Sequence, residues 1–263
     1  MKKSMVILTV ACGWLGLSAG SGPRPVAGQR EELPVYGCRR AGREIELTGR
    51  MSDPLWRSAA PVSLVAADSG ERADRATEVR LLWSPTTLYI GFRCEDDFVW
   101  GTRTEPDSDI YREECVEVFV DPSGCGHQYY EINVSPKNVV FDACILNGRT
   151  PDRPEAKFIG LTQFHPDGLR TAVSVEGDVD RPGGARSWTA EYAIPLSSLI
   201  GARHFPPRPG DEWRLNLYRI DAPDATARRY YAWNPPGRID FHRPWRFGIL
   251  KFEDASRSPD GGR

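Results

Sequence analysis

The stretch DSDIYREECVEVFVDPSGCGHQYYEINVSP, residues 107–136, decides how the chain folds. Two alternating runs, Cys115–Val120 and Tyr129–Val134, flank a turn-rich loop over 121–127. In the first run Val116, Val118 and Val120 share one face, opposite Cys115, Glu117 and Phe119. In the second, Tyr130, Ile132 and Val134 oppose Tyr129, Glu131 and Asn133. Period-two alternation around a Pro-Ser-Gly turn predicts a β-hairpin. Symmetric closure of the loop sets Glu117 directly across from Glu131. Like charges placed opposite one another destabilise a sheet. The pair therefore reads either as solvated glutamates neutralised by a neighbouring arginine, or as carboxylates kept for a ligand, a metal or a catalytic step.

The same pattern extends in both directions. Glu78–Asp96 predicts two strands around Ser84-Pro85-Thr86, with Val79, Leu81 and Trp83 alternating in one and Leu88, Ile90, Phe92 and Cys94 in the other. Residues 43–47 predict a short strand with Ile45 and Leu47 inward, followed by Trp56 as a plug at the end of the core; residues 59–76 read as loop. Further strands are expected over 138–145, 158–164, 169–175, 187–194, 213–217, 229–233 and 247–252, and one helical turn over 196–200. Trp83, Trp188, Trp213 and Trp233 belong to the core and Trp245 to an edge. About ten short strands, regular turn signals and no long amphipathic helix predict an all-β, antiparallel β-sandwich. Glu117, Glu131, Asn133, Glu191, Arg214 and Asn216 point outward, which gives one sheet a polar outer face.

The start of the chain follows a different logic. Lys2 and Lys3 precede an apolar run from Met5 to Ala19 and then small residues, the pattern of a secretory signal peptide over 1–20. The run is short for a membrane span. Lipid attachment at Cys12 is the second option, weakened by the Thr9-Val10-Ala11 context. Residues 21–37 read as a Pro/Gly-rich linker, 38–253 as one domain and 254–263 as a polar tail. No second long apolar run follows, so the mature protein is expected to be secreted or periplasmic and free of the membrane. A net charge of −2 without a basic patch excludes a nucleic-acid binder. Arginine outnumbers lysine 29 to 5. Five cysteines remain after loss of Cys12, and export permits one or two disulfides. Asp96 and Asp97, with Asp107 or Asp109, are calcium candidates, because hard cations collect oxygen ligands.

LTGRMSDPLW, TEVRLLWSPTTLYIGFRCEDD, ECVEVFVDP, YYEINVSPKNVVFDA, WTAEYAIPLSSL, WRLNLYRID and FHRPWRFGILKF, in this order, resemble the family 9 carbohydrate-binding modules and their free-standing relatives. The resemblance runs from about Ile45 to Phe252. It implies a β-sandwich of the DOMON-like type, a non-catalytic role, structural calcium, and binding of glucan or xylan chain ends between two aromatic rings. By position the rings are Tyr111 and Phe241, with His242 beside the second, and Glu117 is a ligand contact. Glu131 stands where the family has an arginine, and both ring positions depart from the usual tryptophan.

The leading expectation is thus a secreted carbohydrate-binding protein, without catalytic residues of its own. It uses Tyr111, Glu117, Glu131, Asn133, Phe241 and His242 on an oligosaccharide or polysaccharide, with a glycoside hydrolase as a possible partner in carbohydrate catabolism. The alternative is a retaining glycoside hydrolase using Glu117 and Glu131, for which cross-strand carboxyls can approach the required ~5–5.5 Å. A haem site is remote, because Met51 is the only methionine left after signal removal.

Overall fold

The computed structural model describes residues 32–224 and 226–255. The expected signal peptide, Cys12 and most of the linker and tail lie outside these residues. Fourteen strands form one continuous sheet. They are β1 (Val35–Arg40), β2 (Val62–Ser63), β3 (Val65–Ala66), β4 (Thr77–Trp83), β5 (Thr87–Glu95), β6 (Cys115–Asp121) and β7 (Gln128–Val134). The second half contributes β8 (Val140–Asn147), β9 (Phe158–Leu161), β10 (Arg170–Gly177), β11 (Ala185–Pro195), β12 (Glu212–Asp221), β13 (Arg229–Ala232) and β14 (Gly248–Glu253). Four short 3-10 turns complete the ordered elements, and no described helix is long and apolar enough to cross a membrane.

The strand order is β10-β11-β5-β4-β1-β14-β12-β6-β7-β8-β9. Each arm is antiparallel, but β1 runs parallel to both of its neighbours, β14 and β4. The architecture is therefore mixed rather than purely antiparallel. The joining strand β1 straddles the expected boundary, its first half in the stretch read as linker and its second half at the start of the expected domain. VYGCRR carries only two buried residues, Tyr36 and Cys38, too few for an alternation signal. Its pairing also depends on segments more than forty residues away.

The sheet curls so that the two arms face each other. Val116, Val118, Val120, Tyr130 and Ile132 from one arm pack with Leu81, Ile90, Phe92, Trp188 and Tyr192 from the other. Each of these apolar side chains contributes about 1.5–3 kcal/mol when fully buried. The Tyr192 hydroxyl crosses this core and donates to the Val116 carbonyl at 2.9 Å. Trp83, Trp188 and Trp213 are fully buried and Trp233 is buried; Trp56 is buried too, but in a cluster outside this core and not as a plug at its end.

Apolar clusters also lie outside both arms. Beyond β6, β7, β8 and β12 sit Phe119, Tyr129, Phe141, Tyr218 and Phe247. Beyond β4, β5 and β11 sit Ile45, Trp56, Leu82 and Tyr89. The outer faces are thus partly covered, which the expectation of a plain polar face missed. Glu117, Glu131, Asn133, Glu191 and Asn216 are all buried. Residues 43–47 reach Ile45 into the outer cluster without forming a strand, and 59–76 contains the short strands β2 and β3. The five described cysteines are all free thiols, contrary to the expected bridges. Cys38, Cys94 and Cys115 are buried on three different strands, while Cys125 lies exposed in a loop.

The hairpin β6–β7 has a different register from symmetric closure. Glu117 pairs with Asn133 and Phe119 with Glu131. The loop is closed by Asp121, whose carboxylate accepts from the backbone N–H groups of Ser123, Gly124 and Gly126 at 3.0, 2.8 and 2.7 Å. An amide rather than a second carboxylate therefore stands opposite Glu117.

Replacing Tyr192 by Phe removes the hydroxyl that bonds to the Val116 carbonyl across the core and is expected to cost about 1–2 kcal/mol. Urea unfolding of the two proteins checks this through the transition midpoint at unchanged slope.

Candidate functional site

The outer aromatic cluster is incomplete, and the gap is a cavity of about 680 Å³. Its floor is the outward face of β6, β7 and β8, which presents Glu117, Phe119, Glu131, Phe141, Ala143 and Ile145. Its walls come from the segment before β6, from β9 and from the segment before β14. Five of the six predicted ligand residues line it: Tyr111, Glu117, Glu131, Phe241 and His242. Asn133, on the same face of β7 as Glu131, does not line the cavity; it is fully buried and donates to Glu131 Oε1 at 2.9 Å.

Tyr111 sits on the 3-10 turn Ile110–Arg112 just before β6. Its ring meets Phe141 edge-on at 5.2 Å, and its hydroxyl donates to Asp109 at 3.0 Å. Phe241 stacks on Tyr218 at 3.9 Å with the ring planes 8° apart, and the Tyr218 hydroxyl donates to the Phe241 carbonyl at 3.1 Å. Both rings are braced by aromatic partners while remaining on the cavity wall. His242 stacks on Phe158 at 3.9 Å, its Nδ1 lies 2.8 Å from the Tyr129 hydroxyl, and its Nε2 lies 3.8 Å from Glu131.

The floor is electrostatically unusual. Burial, and then the neighbouring Glu131, push the Glu117 carboxyl well above the ordinary range. Its hydrogen-bond partner is the Cys115 thiol at 3.4 Å. Glu131 is raised by burial against the pull of the Asn133 amide. Burial lowers His242 to about 4. No lysine or arginine lines the cavity among the described residues, while Asp107, Asp109 and Asp240 do. Asp240 is held by Arg149 at 2.9 Å, and that guanidinium covers the Phe158 ring at 4.7 Å. The cavity thus offers apolar ring faces and carboxyl groups able to donate as well as accept hydrogen bonds.

Phe119, Phe141, Phe158, Tyr230 and Asp240 are lining residues that the strand patterns alone did not single out. A signal for the first exists. CVEVFVD is buried at every position, so the strand has no solvent face at all.

The four calcium candidates do not form one site. Asp97 is exposed and pairs with Arg75 at 2.6 Å, and Asp109 pairs with Arg112 at 2.9 Å. Asp107 groups with Asp142 and His165 near the cavity mouth. Asp96 joins Glu114 and Asp221 in a fully buried triad. Within it neither carboxylate oxygen of Glu114 nor Asp221 Oδ1 has a hydrogen-bond partner. Burial and then Asp96 push Glu114 up to about 9. Arg219 donates to Asp96 at 2.8 Å and supplies the one fully buried cation there. Orphaned carboxylate oxygens of this kind fit a hard divalent cation.

An all-β scaffold with an aromatic-walled, carboxyl-floored cavity on one sheet face defines a ligand-binding module. The family model described as Carbohydrate family 9 binding domain-like matches residues 47–255, and the chain belongs to that family. A Bacteroides uniformis protein described as a candidate carbohydrate binder superposes with a TM-score of 0.67 at 17% identity, covering 84% of this chain and 99% of its own. A family 9 carbohydrate-binding module from Caldicellulosiruptor kristjanssonii in complex with cellotriose gives 0.58 at 15% identity, covering 88% and 98%. The module from that organism in complex with glucose gives 0.58 at 15%, covering 86% and 100%. At these identities the likeness establishes the shared fold. Comparison with curated proteins returns no match.

The His242 ring is neutral in the folded protein down to about 4, whereas an unfolded histidine takes up a proton near 6.5. Its contribution to stability is present above the unfolded value and is lost as pH falls through that window. His242→Gln is expected to flatten the acid limb of the melting temperature between about pH 7 and about pH 4.5. Thermal melts of both proteins across that range check it.

Proposed function

We propose that this protein is an exported, non-catalytic carbohydrate-binding module that takes a glucan or xylan chain end in the aromatic cavity. The observation that carries the reading is the joint presence of Tyr111, Phe241, Glu117 and Glu131 on one cavity of ligand size. A pyranose ring presents apolar C–H faces and equatorial hydroxyls. The C–H faces suit the rings, and the hydroxyls suit the carboxyls and His242. A carboxyl held neutral has an O–H to donate, so Glu117 can donate to a sugar hydroxyl from which a carboxylate could only accept. Burying such groups against a ligand lacking the matching hydroxyls leaves them unpaired, which is the source of selectivity.

The cellotriose and glucose bound by the Caldicellulosiruptor module support a glucose-type unit as the first ligand to test. The basic start and apolar run at the N-terminus support export. Structural calcium belongs to the same reading, with Asp96, Glu114 and Asp221 as its ligands. Its chemistry there is charge neutralisation of three buried carboxyls. A separate glycoside hydrolase would supply any cleavage.

Isothermal titration with glucose, cellotriose and xylotriose tests the site. Tyr111→Ala and Phe241→Ala are each expected to weaken binding about tenfold or more, by the loss of ring contact. Absence of heat with all three sugars would refute the reading. Calcium is tested separately: adding it to chelator-treated protein is expected to raise the melting temperature, and Glu114→Gln to abolish that rise.

A further inference from the structure

The other arm carries a second cavity, of about 750 Å³, on the face away from the sugar site. Its floor crosses four strands. Glu78, Arg93, Thr189 and Ser174 stand in one cross-strand row over β4, β5, β11 and β10. Its wall is the segment containing Arg50, Met51, Trp56 and Arg57.

That wall is fastened to the sheet. Glu191, fully buried on β11, accepts from the Thr48 backbone N–H at 2.8 Å and from Trp56 Nε1 at 2.8 Å. Gly49 lies against the β10 backbone, where a Cβ would meet the Val173 carbonyl carbon at 2.6 Å. Met51 lies over Gly91 on β5, where a Cβ would come within 2.5 Å of the methionine methyl. The wall of the cleft is therefore fixed against the sheet by a buried carboxylate and by close packing at two glycines.

The charge inside it is mixed with a positive excess: Arg50, Arg57, Arg80 and Arg93 line it against Glu78 and Glu176, and Glu176 accepts from the Ser187 hydroxyl at 3.2 Å. Arg80 is neutralised by Glu78 at 2.8 Å, and Glu176 faces Arg186 at 3.6 Å outside the cleft. Arg50, Arg57 and Arg93 have no carboxylate within ion-pair distance among the described residues. Ser174, Ser187 and Thr189 add hydroxyls between them. Guanidinium groups bind carboxylate and sulfate through paired, charge-assisted hydrogen bonds. The sugar cavity has the opposite character, since its lining charges are carboxyl groups and it would repel an anion.

We propose that this cleft is a second ligand site for an acidic saccharide, in which Arg57 and Arg93 grip the anionic group and the serine and threonine hydroxyls take the sugar hydroxyls. The class is a uronate- or sulfate-bearing glycan. A chain mixing neutral and acidic units could then be held on both faces of one module. The inference stands whether or not the aromatic cavity binds glucose.

The test is calorimetric titration of the full protein with trigalacturonic acid at about 20 mM salt and again at about 200 mM. Saturable binding is expected, weakened about tenfold in Arg57→Gln and again in Arg93→Gln, and weakened by the added salt. Excess glucose is expected to leave it unchanged, because the two cavities lie on opposite faces. Both arginines are exposed, so the variants are expected to keep the wild-type circular dichroism and melting temperature. No binding at low salt, or binding unaltered in the folded double variant, would overturn the proposal. Inorganic sulfate competing as strongly as the trisaccharide would overturn its saccharide part, leaving an unselective anion cleft.

Discussion

A pleated strand buried on both sides sends alternate side chains into two separate chemical surroundings, and β6 is such a strand. Val116, Val118 and Val120 enter the core between the arms, while Cys115, Glu117 and Phe119 enter the aromatic layer outside. Core packing sets the first set of positions and, through the pleat, the second. A one-residue slip of β6 would drive Glu117 into the core and its three valines toward the cavity. The register is therefore over-determined by hydrophobic burial, and the sugar-facing carboxyls inherit their placement from it.

The cost of that arrangement is concentrated in buried carboxyls. Glu117 and Glu131 lie within mutual electrostatic influence, and Glu114, Asp96 and Asp221 form a second concentration beside Arg219. Burial disfavours the charged forms of Glu117, Glu131, Glu114 and Asp96. In the cavity the cost is moderated by Asn133, which stands opposite Glu117 and donates to Glu131. In the triad it is moderated by Arg219 alone among fully buried groups, which leaves orphaned oxygens. The two sites are physically related: both hold acids away from water, one toward a ligand and the other toward a cation.

The two outer faces diverge because different chain segments cover them. One is closed by aromatic residues before β6 and β14, which leave an apolar, acidic gap. The other is roofed by residues 48–57, pinned by Glu191, which leaves an arginine-rich one. Glu191 is outward on its strand, as alternation requires, yet has no solvent contact because that roof lies over it.

Alternation and turn chemistry were legible in the chain itself. The hairpins β4–β5 and β6–β7 and the strands β11 and β12, with the tryptophans they carry, follow from local period-two patterns, and β8 to β10, β13 and β14 from short strand-like runs between turn signals. Glu117 and Glu131 follow from the hairpin pattern, Tyr111, Phe241 and His242 from a family resemblance, and the five come together in one cavity. The parallel strand β1, the shifted register of β6 on β7, the free cysteines and the arginine cleft were not legible. The reason is physical. Alternation reports which side of its own strand a residue occupies, and it is encoded over a few neighbouring positions. Which segment lies above that side is decided by contacts between residues far apart in the chain. Only those contacts determine whether an outward glutamate meets water, a tryptophan N–H or a sugar.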